Sequence, residues 1–341
     1  MLAVASTMRQ GADKARNQET TVAMAKSSPL NGKLVALMGG SGFVGNYVAQ
    51  ALLDRGARLR IASRNPERAF NLKPLANLGQ LQFARCNALD QQNVYQCIDG
   101  ADAVVNLVGA FAGNLKQLMG EAPGWMAEAA RNTGAQAFVH ISALTGAIRD
   151  EDDEVIEYAA AKQLGEERAR EAFERTTVIR PSIVFGKDDD FLNMFAKLIQ
   201  TFPILPVFGP DAELQLVYVD DVAEAVARAL EDPATFGGKT FELGGPERVT
   251  MMELNRRIAA AQRRKRTFLP VPDQLSGIFA ALPGTPMGRD QWELLKGGNT
   301  VSGKYPGFEE LGIEPRTMGL FLDRWMTRYR KHGRFSERLS A

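Results

Sequence analysis

The chain has 341 residues, 45% of them hydrophobic, which is enough to build one large α/β domain or two smaller ones. Its 41 basic and 40 acidic side chains give a net charge of +1, so overall charge gives no reason to expect a nucleic acid partner. Two cysteines and two histidines are too few for a disulfide framework or most metal sites, and we expect no bound metal. All apolar runs are shorter than a membrane span, so we expect no transmembrane segment.

Residues 1–30 are rich in small and polar side chains and show little hydrophobic periodicity. We predict that they form a disordered extension. Met24 is an alternative start of the chain, and the basic residues of the stretch leave an organelle-targeting peptide open. The stretch lacks the apolar core of a secretory signal.

The apolar run 34–38 predicts a strand, and a turn with the spacing GxxGxxG follows it directly at Gly39, Gly42 and Gly45. The first glycine permits a tight turn, the second lets a pyrophosphate approach the backbone, and the third lets the next helix lie close to the sheet. The N-terminal amides of that helix, predicted at 46–54, attract phosphate. The sequence therefore predicts a nucleotide-binding turn.

From residue 34 to about 183, predicted strands and helices alternate, which is typical of a parallel sheet with helices on both faces. The predicted strands are 34–38, 58–62, 81–86, 103–108, 137–142 and 177–183, and the predicted helices are 44–55, 66–76, 94–98, 123–133 and 157–175. We therefore predict an α/β fold, a Rossmann-type doubly wound parallel sheet, over residues 31–185.

After Gly186 the alternation stops, and proline interrupts the segments 202–206 and 270–272, which excludes long helices there. We predict helices at 222–230 and 253–262. Residues 215–235 are assigned to the nucleotide-binding domain, and residues 186–214 and 236–341 to a smaller C-terminal lobe over the open end of the sheet.

Residues after the second, third and fourth strands are candidates for contacts with the dinucleotide. NAD-binding proteins place an acidic residue after the second strand, whereas this chain has Arg64, which is suited to a 2′-phosphate. NADP(H) is therefore favoured over NAD(H). Asn87 is placed to bond the adenine, and Asn106, Val108 and Gly109 close the fourth strand, where Gly109 leaves room beside the adenosine.

Tyr158 and Lys162 lie four residues apart on a predicted helix, so both side chains share one face. A lysine ammonium near a phenol lowers the pKa of the phenol and makes it usable in acid–base chemistry. We expect this pair to lie at the reactive end of the dinucleotide.

These motifs together resemble the extended short-chain dehydrogenase/reductase superfamily over residues 34–245. They are the glycine turn, Tyr158-x-x-x-Lys162, the run RPSIVFG at 180–186 and the run VYVDDV at 217–222. The runs VHISAL at 139–144 and TPMGRDQWELLK at 285–296 are similar to an atypical branch of that superfamily. That branch contains the nucleotide-binding accessory subunit of respiratory complex I and its bacterial relatives.

The resemblance implies a role for each matching residue. Gly39, Ser41, Gly42, Phe43 and Val44 would surround the pyrophosphate, Arg64 would contact the adenosine ribose or its phosphate, Tyr158 and Lys162 would meet the nicotinamide ribose, and Pro181 and Ile183 would border the nicotinamide. The VYVDDV run would join the two lobes.

The chain departs from catalytic members at the hydroxyl that orients the substrate. Ser142 is the candidate, but it stands about two positions early, and Thr145 is the alternative. One hypothesis is therefore an NAD(P)H-binding accessory protein of complex I that need not turn over. The alternative is an active NADPH-dependent reductase or epimerase acting on an apolar carbonyl compound, with the stretch 275–283 in its pocket, or on a nucleotide sugar. A redox-sensing binding protein remains a third reading.

A C-terminal helix carries five apolar residues at helical spacing, Phe321, Leu322, Trp325, Met326 and Tyr329, among several arginines. This helix either packs on its own domain or docks on complex I subunits or an anionic membrane surface. We expect a cytoplasmic protein or one peripheral to the inner face of a bacterial inner membrane, or to the matrix side in a mitochondrion.

Overall fold

The computed structural model describes residues 28–146, 149, 154–271 and 295–331. The strands are β1 (Leu34–Met38), β2 (Arg58–Ser63), β3 (Leu81–Arg85), β4 (Ala103–Asn106), β5 (Ala137–Ile141), β6 (Thr177–Pro181), β7 (Val184–Phe185), β8 (Ile204–Phe208), β9 (Glu213–Leu214), β10 (Val217–Tyr218), β11 (Thr240–Leu243), β12 (Val249–Thr250) and β13 (Thr267–Val271). The α-helices are α1 (Phe43–Leu53), α2 (Gln91–Ile98), α3 (Ala122–Asn132), α4 (Glu157–Ala172), α5 (Phe191–Thr201), α6 (Val219–Glu231), α7 (Pro233–Phe236), α8 (Met251–Ala261) and α9 (Gly319–Met326). Pro66–Leu75 and Thr327–Tyr329 form 3-10 helices, and Lys116–Glu121 forms a π-helical turn before α3.

The central sheet of the larger lobe is parallel throughout, with seven strands in the order β3-β2-β1-β4-β5-β6-β11. The strand order reverses between β1 and β4, so the crevice beyond their carboxyl ends is where such sheets bind ligands. Every residue of β1 is buried, as expected of a strand covered on both faces. The predicted Rossmann-type fold is confirmed.

Helices cover both faces of this sheet. On one face α1 and α6 pack side by side, with Val48, Leu52, Val222 and Val226 in the core. On the other face α2 and α3 contribute Val94, Ile98 and Met126, and α4 packs along α3. The helix that follows the glycine turn is thus fixed against the sheet along its length.

The smaller lobe has its own core, formed by side chains from α5, α8, α9 and short strand pairs; its members include Leu192, Leu205, Leu254 and Met326. Strands β8 and β13 form a two-stranded parallel sheet at its surface. The lobes are joined at Asp221 of the VYVDDV run, whose carboxylate accepts hydrogen bonds from the backbone amide and the Nε of Arg316, both at 2.7 Å.

Two boundaries differ from the sequence prediction. β11, assigned to the smaller lobe from sequence, pairs with β6 in the central sheet; its Glu242, 3.8 Å from Arg180, obscures the apolar pattern of this short strand. Leu30 lies in the core and the Ser28 hydroxyl donates to Glu231 at 2.7 Å, so the packed structure begins before residue 31. Residues 1–27, the stretch 275–283 and residues 285–294 of the branch motif lie outside the described residues.

Candidate functional site

The glycine turn lies between β1 and α1, and two of its glycines are required sterically. Gly39 has a φ of +82°, and a Cβ there would lie 3.1 Å from the backbone of Leu107 and Val108. A Cβ on Gly45 would lie 2.7 Å from the carbonyl group of Gly40, so only glycine lets α1 pack this close. These are the roles that the sequence predicts for the first and third glycines.

The N-terminus of α1 is left open for an anion. Gly42 is its N-cap residue, so no side chain caps the helix, and the first turn contains no acidic residue. The first amides of a helix lack partners within the helix and attract negative charge. A pyrophosphate fits this position, and the residues present therefore suit a dinucleotide.

Arg64 stands at the carboxyl end of β2 beside the glycine turn. The hydroxyl of Ser41 donates a hydrogen bond of 2.8 Å to the hydroxyl of Ser63, which connects the turn to the end of β2. Arg64 is exposed and forms no ion pair with any residue that the structure describes. Arg64 thus directly follows the Ser41–Ser63 hydroxyl pair at the carboxyl end of β2.

Asn87 and Asn106 have different surroundings. Asn87 is exposed at the end of β3, and its Oδ1 accepts from the amide of Leu89 at 3.1 Å. Asn106 is buried: its Oδ1 accepts from the amide of Val108 at 3.0 Å and its Nδ2 lies 3.0 Å from Nδ1 of His140. Asn106 is therefore a buried residue that stabilises the turn at Val108, whereas Asn87 lies at the surface.

Gly109 lies close to Lys162. A Cβ on Gly109 would lie 3.8 Å from Nζ of Lys162, which is an ordinary contact distance. The predicted role of Gly109 beside the adenosine stays a prediction.

Tyr158 and Lys162 share one face of α4 as the spacing predicts. Lys162 is 5% exposed, its Nζ donates to the carbonyl of Ile141 at 3.2 Å, and Nζ lies 5.9 Å from the centre of the Tyr158 ring. Burial lowers the pKa of Lys162 from 10.5 to about 8. Burial also raises the pKa of Tyr158 from 10.0 to about 12, so the predicted lowering of its pKa by Lys162 is wrong for this state of the site.

An aromatic ring that the sequence analysis did not single out covers Tyr158. Phe111, in the loop after β4, stacks on the Tyr158 ring with centroids 4.8 Å apart and planes inclined by 15°. Phe111 is itself 61% exposed, so it lies at the mouth of the site. Apolar residues in loops carry no periodic signal, and for that reason this contact could not be predicted from the sequence.

The structure places Ser142 away from the phenol of Tyr158. Ser142 is 4% exposed and its hydroxyl lies beside the carboxylate of Glu166, without a hydrogen bond of ordinary geometry to the described residues. Glu166 is two turns beyond Tyr158 on α4, a rise of roughly 12 Å. Ser142 is therefore poorly placed to orient a substrate at Tyr158, and Thr145, half-exposed, is the other hydroxyl between β5 and α4.

A buried ion pair lies below Lys162 on the same face of α4. Arg180 donates to both carboxylate oxygens of Glu166, at 2.8 and 2.7 Å. Burial alone would raise the pKa of Glu166, but the bonds from Arg180 hold it below the usual range. Burial lowers the pKa of the adjacent His140 to about 3, so this imidazole is neutral. Sequence reasoning recognised Arg180 only as part of a motif.

Asn299 of the smaller lobe bonds the segments that follow β5 and β6, where Leu144 and Ile183 lie. Pro181 accepts from the amide of Leu144 at 3.1 Å. Oδ1 of Asn299 accepts from the amide of Ile183 at 2.7 Å, and its Nδ2 donates to the carbonyl of Leu144 at 3.1 Å. One side chain thus joins the ends of two central strands to the smaller lobe, a role that no local motif indicated.

The C-terminal helix packs on its own lobe, which is the first of the two alternatives. Leu322, Met326 and Tyr329 are buried in the core of the smaller lobe, and Phe321 and Trp325 pack against that core. Within the described residues, no helix is both long and apolar enough to cross a bilayer.

Comparison with known proteins agrees with this geometry. Residues 35–244 match the model of the NAD dependent epimerase/dehydratase family. The chain is 28% identical over 307 residues to the mitochondrial NADH dehydrogenase [ubiquinone] 1 alpha subcomplex subunit 9 of Mus musculus, covering 86% of this chain and 79% of that protein. It is 27% identical over 258 residues to a ceramide reductase of Caulobacter vibrioides, covering 73% of this chain and 76% of that protein.

Solved structures share the fold. The epimerase Mth375 of Methanothermobacter thermautotrophicus superposes with a TM-score of 0.67 at 19% identity, over 88% of this chain and 93% of that one. The dTDP-glucose 4,6-dehydratase DesIV of Streptomyces venezuelae, solved with NAD bound, gives a TM-score of 0.65 at 17% identity, over 87% and 96%. The resemblance inferred from the motifs is confirmed, and a nicotinamide dinucleotide is the ligand that the site supports. The chain belongs to the NAD dependent epimerase/dehydratase family, within the extended short-chain dehydrogenase/reductases.

Proposed function

We propose that this chain binds NADPH and serves as an accessory protein of a complex I-type NADH:ubiquinone oxidoreductase, without obligatory turnover. The similarity to subunit 9 extends over both lobes, since it covers 86% of the chain. A fungal relative of the same type, the 40 kDa subunit of Neurospora crassa, is 27% identical over 314 residues.

The position of Ser142 among the described residues supports the non-catalytic part of this proposal. Ser142 faces Glu166, and Phe111 covers the ring of Tyr158. A phenol with a pKa of about 12 is also a weak proton donor near neutral pH. These features favour binding over turnover.

The dinucleotide would be held along the crevice. The amides of residues 39–44 would bind its pyrophosphate, and Lys162 would bond the nicotinamide ribose. When bound, the nicotinamide ring supplies a site for hydride transfer. Pro181 and Ile183 would lie against that ring, held in place by Asn299.

Arg64 supports NADPH over NADH. Arg64 and Asn65, which directly follow β2, provide no carboxylate for the ribose hydroxyls. Arg64 has no ion-pair partner among the described residues, which leaves its guanidinium to pair with a 2′-phosphate. Arg64→Ala should weaken NADPH binding by roughly 10-fold to 100-fold and change NADH binding little. Isothermal titration with both coenzymes measures this, and Arg58→Ala, an exposed arginine at the opposite end of β2, is the control.

An active reductase is the second candidate, favoured by the pair Tyr158 and Lys162 and by the similarity to a ceramide reductase. The substrate would be an apolar carbonyl compound, with Tyr158 as proton donor and Thr145 as orienting hydroxyl. Nucleotide sugars are the alternative substrate class, because the fold neighbour DesIV is a dTDP-glucose 4,6-dehydratase.

Tyr158→Phe separates the two candidates. An accessory protein should keep its dinucleotide, identified by mass spectrometry of the purified protein, and should still copurify with NADH:ubiquinone oxidoreductase activity from detergent-solubilised membranes. Loss of a carbonyl reduction that the unmodified protein performs would instead establish the reductase. We propose a peripheral location on the membrane face that carries the oxidoreductase.

A further inference from the structure

An apolar patch surrounded by cations occurs on the smaller lobe, far from the glycine turn in sequence. The outer face of the β8–β13 sheet presents Ile204, 56% exposed, and Leu269, 51% exposed, with Phe202 just before β8 at 51%. Thr267 pairs with Ile204 and Leu269 with Pro206, so these side chains lie on one face. Leu205 and Val207 alternate with them and are buried. We call this face the β8–β13 tip.

The basic run 263–266 lies at the edge of this tip. Arg266 donates to the carbonyls of Ile199 at 2.7 Å and Gln200 at 3.3 Å, which places the run against the segment leading into Phe202. Arg256, Arg264, Lys265, Arg266 and Phe268 line one open depression of about 400 Å³. The cations and the apolar tip are therefore contiguous.

The C-terminal helix adds further cations to the same surface. Arg264 donates to the carbonyl of Tyr329 at 3.1 Å, and Arg330 donates to the carbonyl of Ala261 at 2.9 Å. The exposed Lys331 follows. The two basic segments, separate in the sequence, are thus in contact. Arg330 also lies 3.5 Å from the carboxylate of Asp323, and the exposed cations of this surface include Arg256, Lys265 and Lys331.

The backbone at Arg263 is unusual. The amide of Arg264 bonds the carbonyl of Ala259, and the amide of Arg263 bonds that of Ala260, which is the Schellman ending of a helix. Arg263 has a φ of 55°, a conformation that glycine adopts more readily. An arginine at this position carries a backbone strain that glycine would avoid.

We propose that the β8–β13 tip and its basic surround dock on an anionic lipid bilayer. Three exposed apolar side chains are few for the core of a stable protein interface, which is also depleted in lysine. The combination of a small apolar insertion with several lysines and arginines suits the interface of a membrane with acidic headgroups. This goes beyond the proposed accessory role, and it replaces docking through the apolar face of α9, which is buried.

Vesicle cosedimentation tests the proposal with the full chain. Binding to phosphatidylcholine vesicles containing about 30 mol% phosphatidylglycerol should exceed binding to pure phosphatidylcholine by at least 10-fold and should fall as salt is raised. Arg256→Glu combined with Lys265→Glu should lower it by roughly 10-fold or more. Ile204→Ser with Leu269→Ser should also lower it, and should do so at every salt concentration.

Matched controls lie on the larger lobe. Arg58→Glu with Arg68→Glu makes the same charge change, and Leu75→Ser with Leu78→Ser removes exposed apolar side chains, without touching the tip. Equal losses in these variants, no preference for acidic vesicles, or binding only to a protein in the membrane fraction would overturn the proposal. NADPH titration of the same variants should be unchanged, so a failure of lipid binding with intact NADPH binding counts against this inference alone.

Discussion

The Phe111 ring lies nearly parallel to the Tyr158 ring, with their centroids 4.8 Å apart. Tyr158 is the one residue of the site whose hydroxyl would have to exchange a proton with a substrate. Because Phe111 comes from the loop after β4 and Tyr158 from α4, the contact joins two segments on opposite sides of the reactive end. The position of Phe111 therefore decides how much of Tyr158 a substrate can reach.

Phe111→Ala should lower the pKa of Tyr158 from about 12 towards its ordinary value of 10.0, because burial is what raises it. The measurement is an absorbance titration of tyrosinate in two proteins, the single variant Phe111→Ala and the double variant Phe111→Ala, Tyr158→Phe. The difference between the two titration curves is the titration of Tyr158. Since Phe111 is 61% exposed, the variant should lose only about 1 kcal/mol of stability. Phe70→Ala removes a comparably exposed ring elsewhere and should leave Tyr158 unchanged; an unaltered Tyr158 titration in Phe111→Ala would contradict the prediction.

Burial of the protonated Lys162 side chain lowers the free energy of unfolding of the protein. Its pKa in the folded chain is about 8, against 10.5 in an unfolded one, so between these values the unfolded chain binds more protons and stability rises with pH. Lys162→Met should therefore be more stable than the unmodified protein below pH 8, by up to about 3 kcal/mol less the lost bond to Ile141. The difference in the free energy of unfolding between Lys162→Met and the unmodified protein should disappear by about pH 10.5.

Urea unfolding at pH 7 and pH 10 measures this difference, and NADPH titration of the same variant should show weaker binding. Stability and ligand affinity thus change in opposite directions, which distinguishes a binding residue from one needed only for packing. Lys116→Met, at an exposed lysine, should change neither quantity. A destabilised Lys162→Met at pH 7 would contradict the interpretation of Lys162 as a buried charge.

The Glu166–Arg180 pair should make stability depend on pH in the acid range. The pKa of Glu166 is held below its ordinary value of 4.5, so its contribution is complete above that value and is lost as pH falls through the folded pKa. Glu166→Gln leaves Arg180 without its bidentate partner and should cost about 3–5 kcal/mol at pH 7. Below pH 4.5 the difference in the free energy of unfolding between Glu166→Gln and the unmodified protein should become smaller.

Denaturant unfolding between pH 3 and pH 7 checks this, with Glu167→Gln as the control. Glu167 is the exposed neighbour on α4 and bonds Gln163 at 3.0 Å, so its removal should cost less than about 0.5 kcal/mol. A gap that stays constant down to pH 3 would show that Glu166 acts through packing and not through its charge.

The sequence predicted what rests on local patterns. The bounds of β1 were predicted without error, and those of β2 to β6 to within two residues, because buried parallel strands are continuous apolar runs closed by turn residues. The glycine turn followed from steric rules, and the spacing of Tyr158 and Lys162 placed them on one face of α4. Each of these depends on neighbours in the chain.

What the sequence could not predict depends on contacts between distant segments. β11 is too short and too polar to be predicted as a strand of the central sheet. It is identified only by its pairing with β6. The pKa of Tyr158 depends on burial, which includes the stacked Phe111. The proximity of Ser142 to Glu166 depends on how α4 lies relative to the end of β5, which are distant in the sequence. The roles of Arg64 and of the other proposed ligand contacts stay predictions.

Asn299 tests whether the smaller lobe controls the reactive end of the crevice. Asn299→Ala would leave the amide of Ile183 and the carbonyl of Leu144 without this partner, at about 1–3 kcal/mol for each group. Hydrogen exchange at the Ile183 amide should accelerate, while exchange in β1 stays slow. Asn299→Asp keeps an acceptor for Ile183 but cannot donate to Leu144, so it should restore protection at Ile183 only. Asn71→Ala, at an exposed site, should change neither. If Ile183 exchanges at an unchanged rate in Asn299→Ala, the two lobes are coupled through other contacts, such as the Asp221–Arg316 pair.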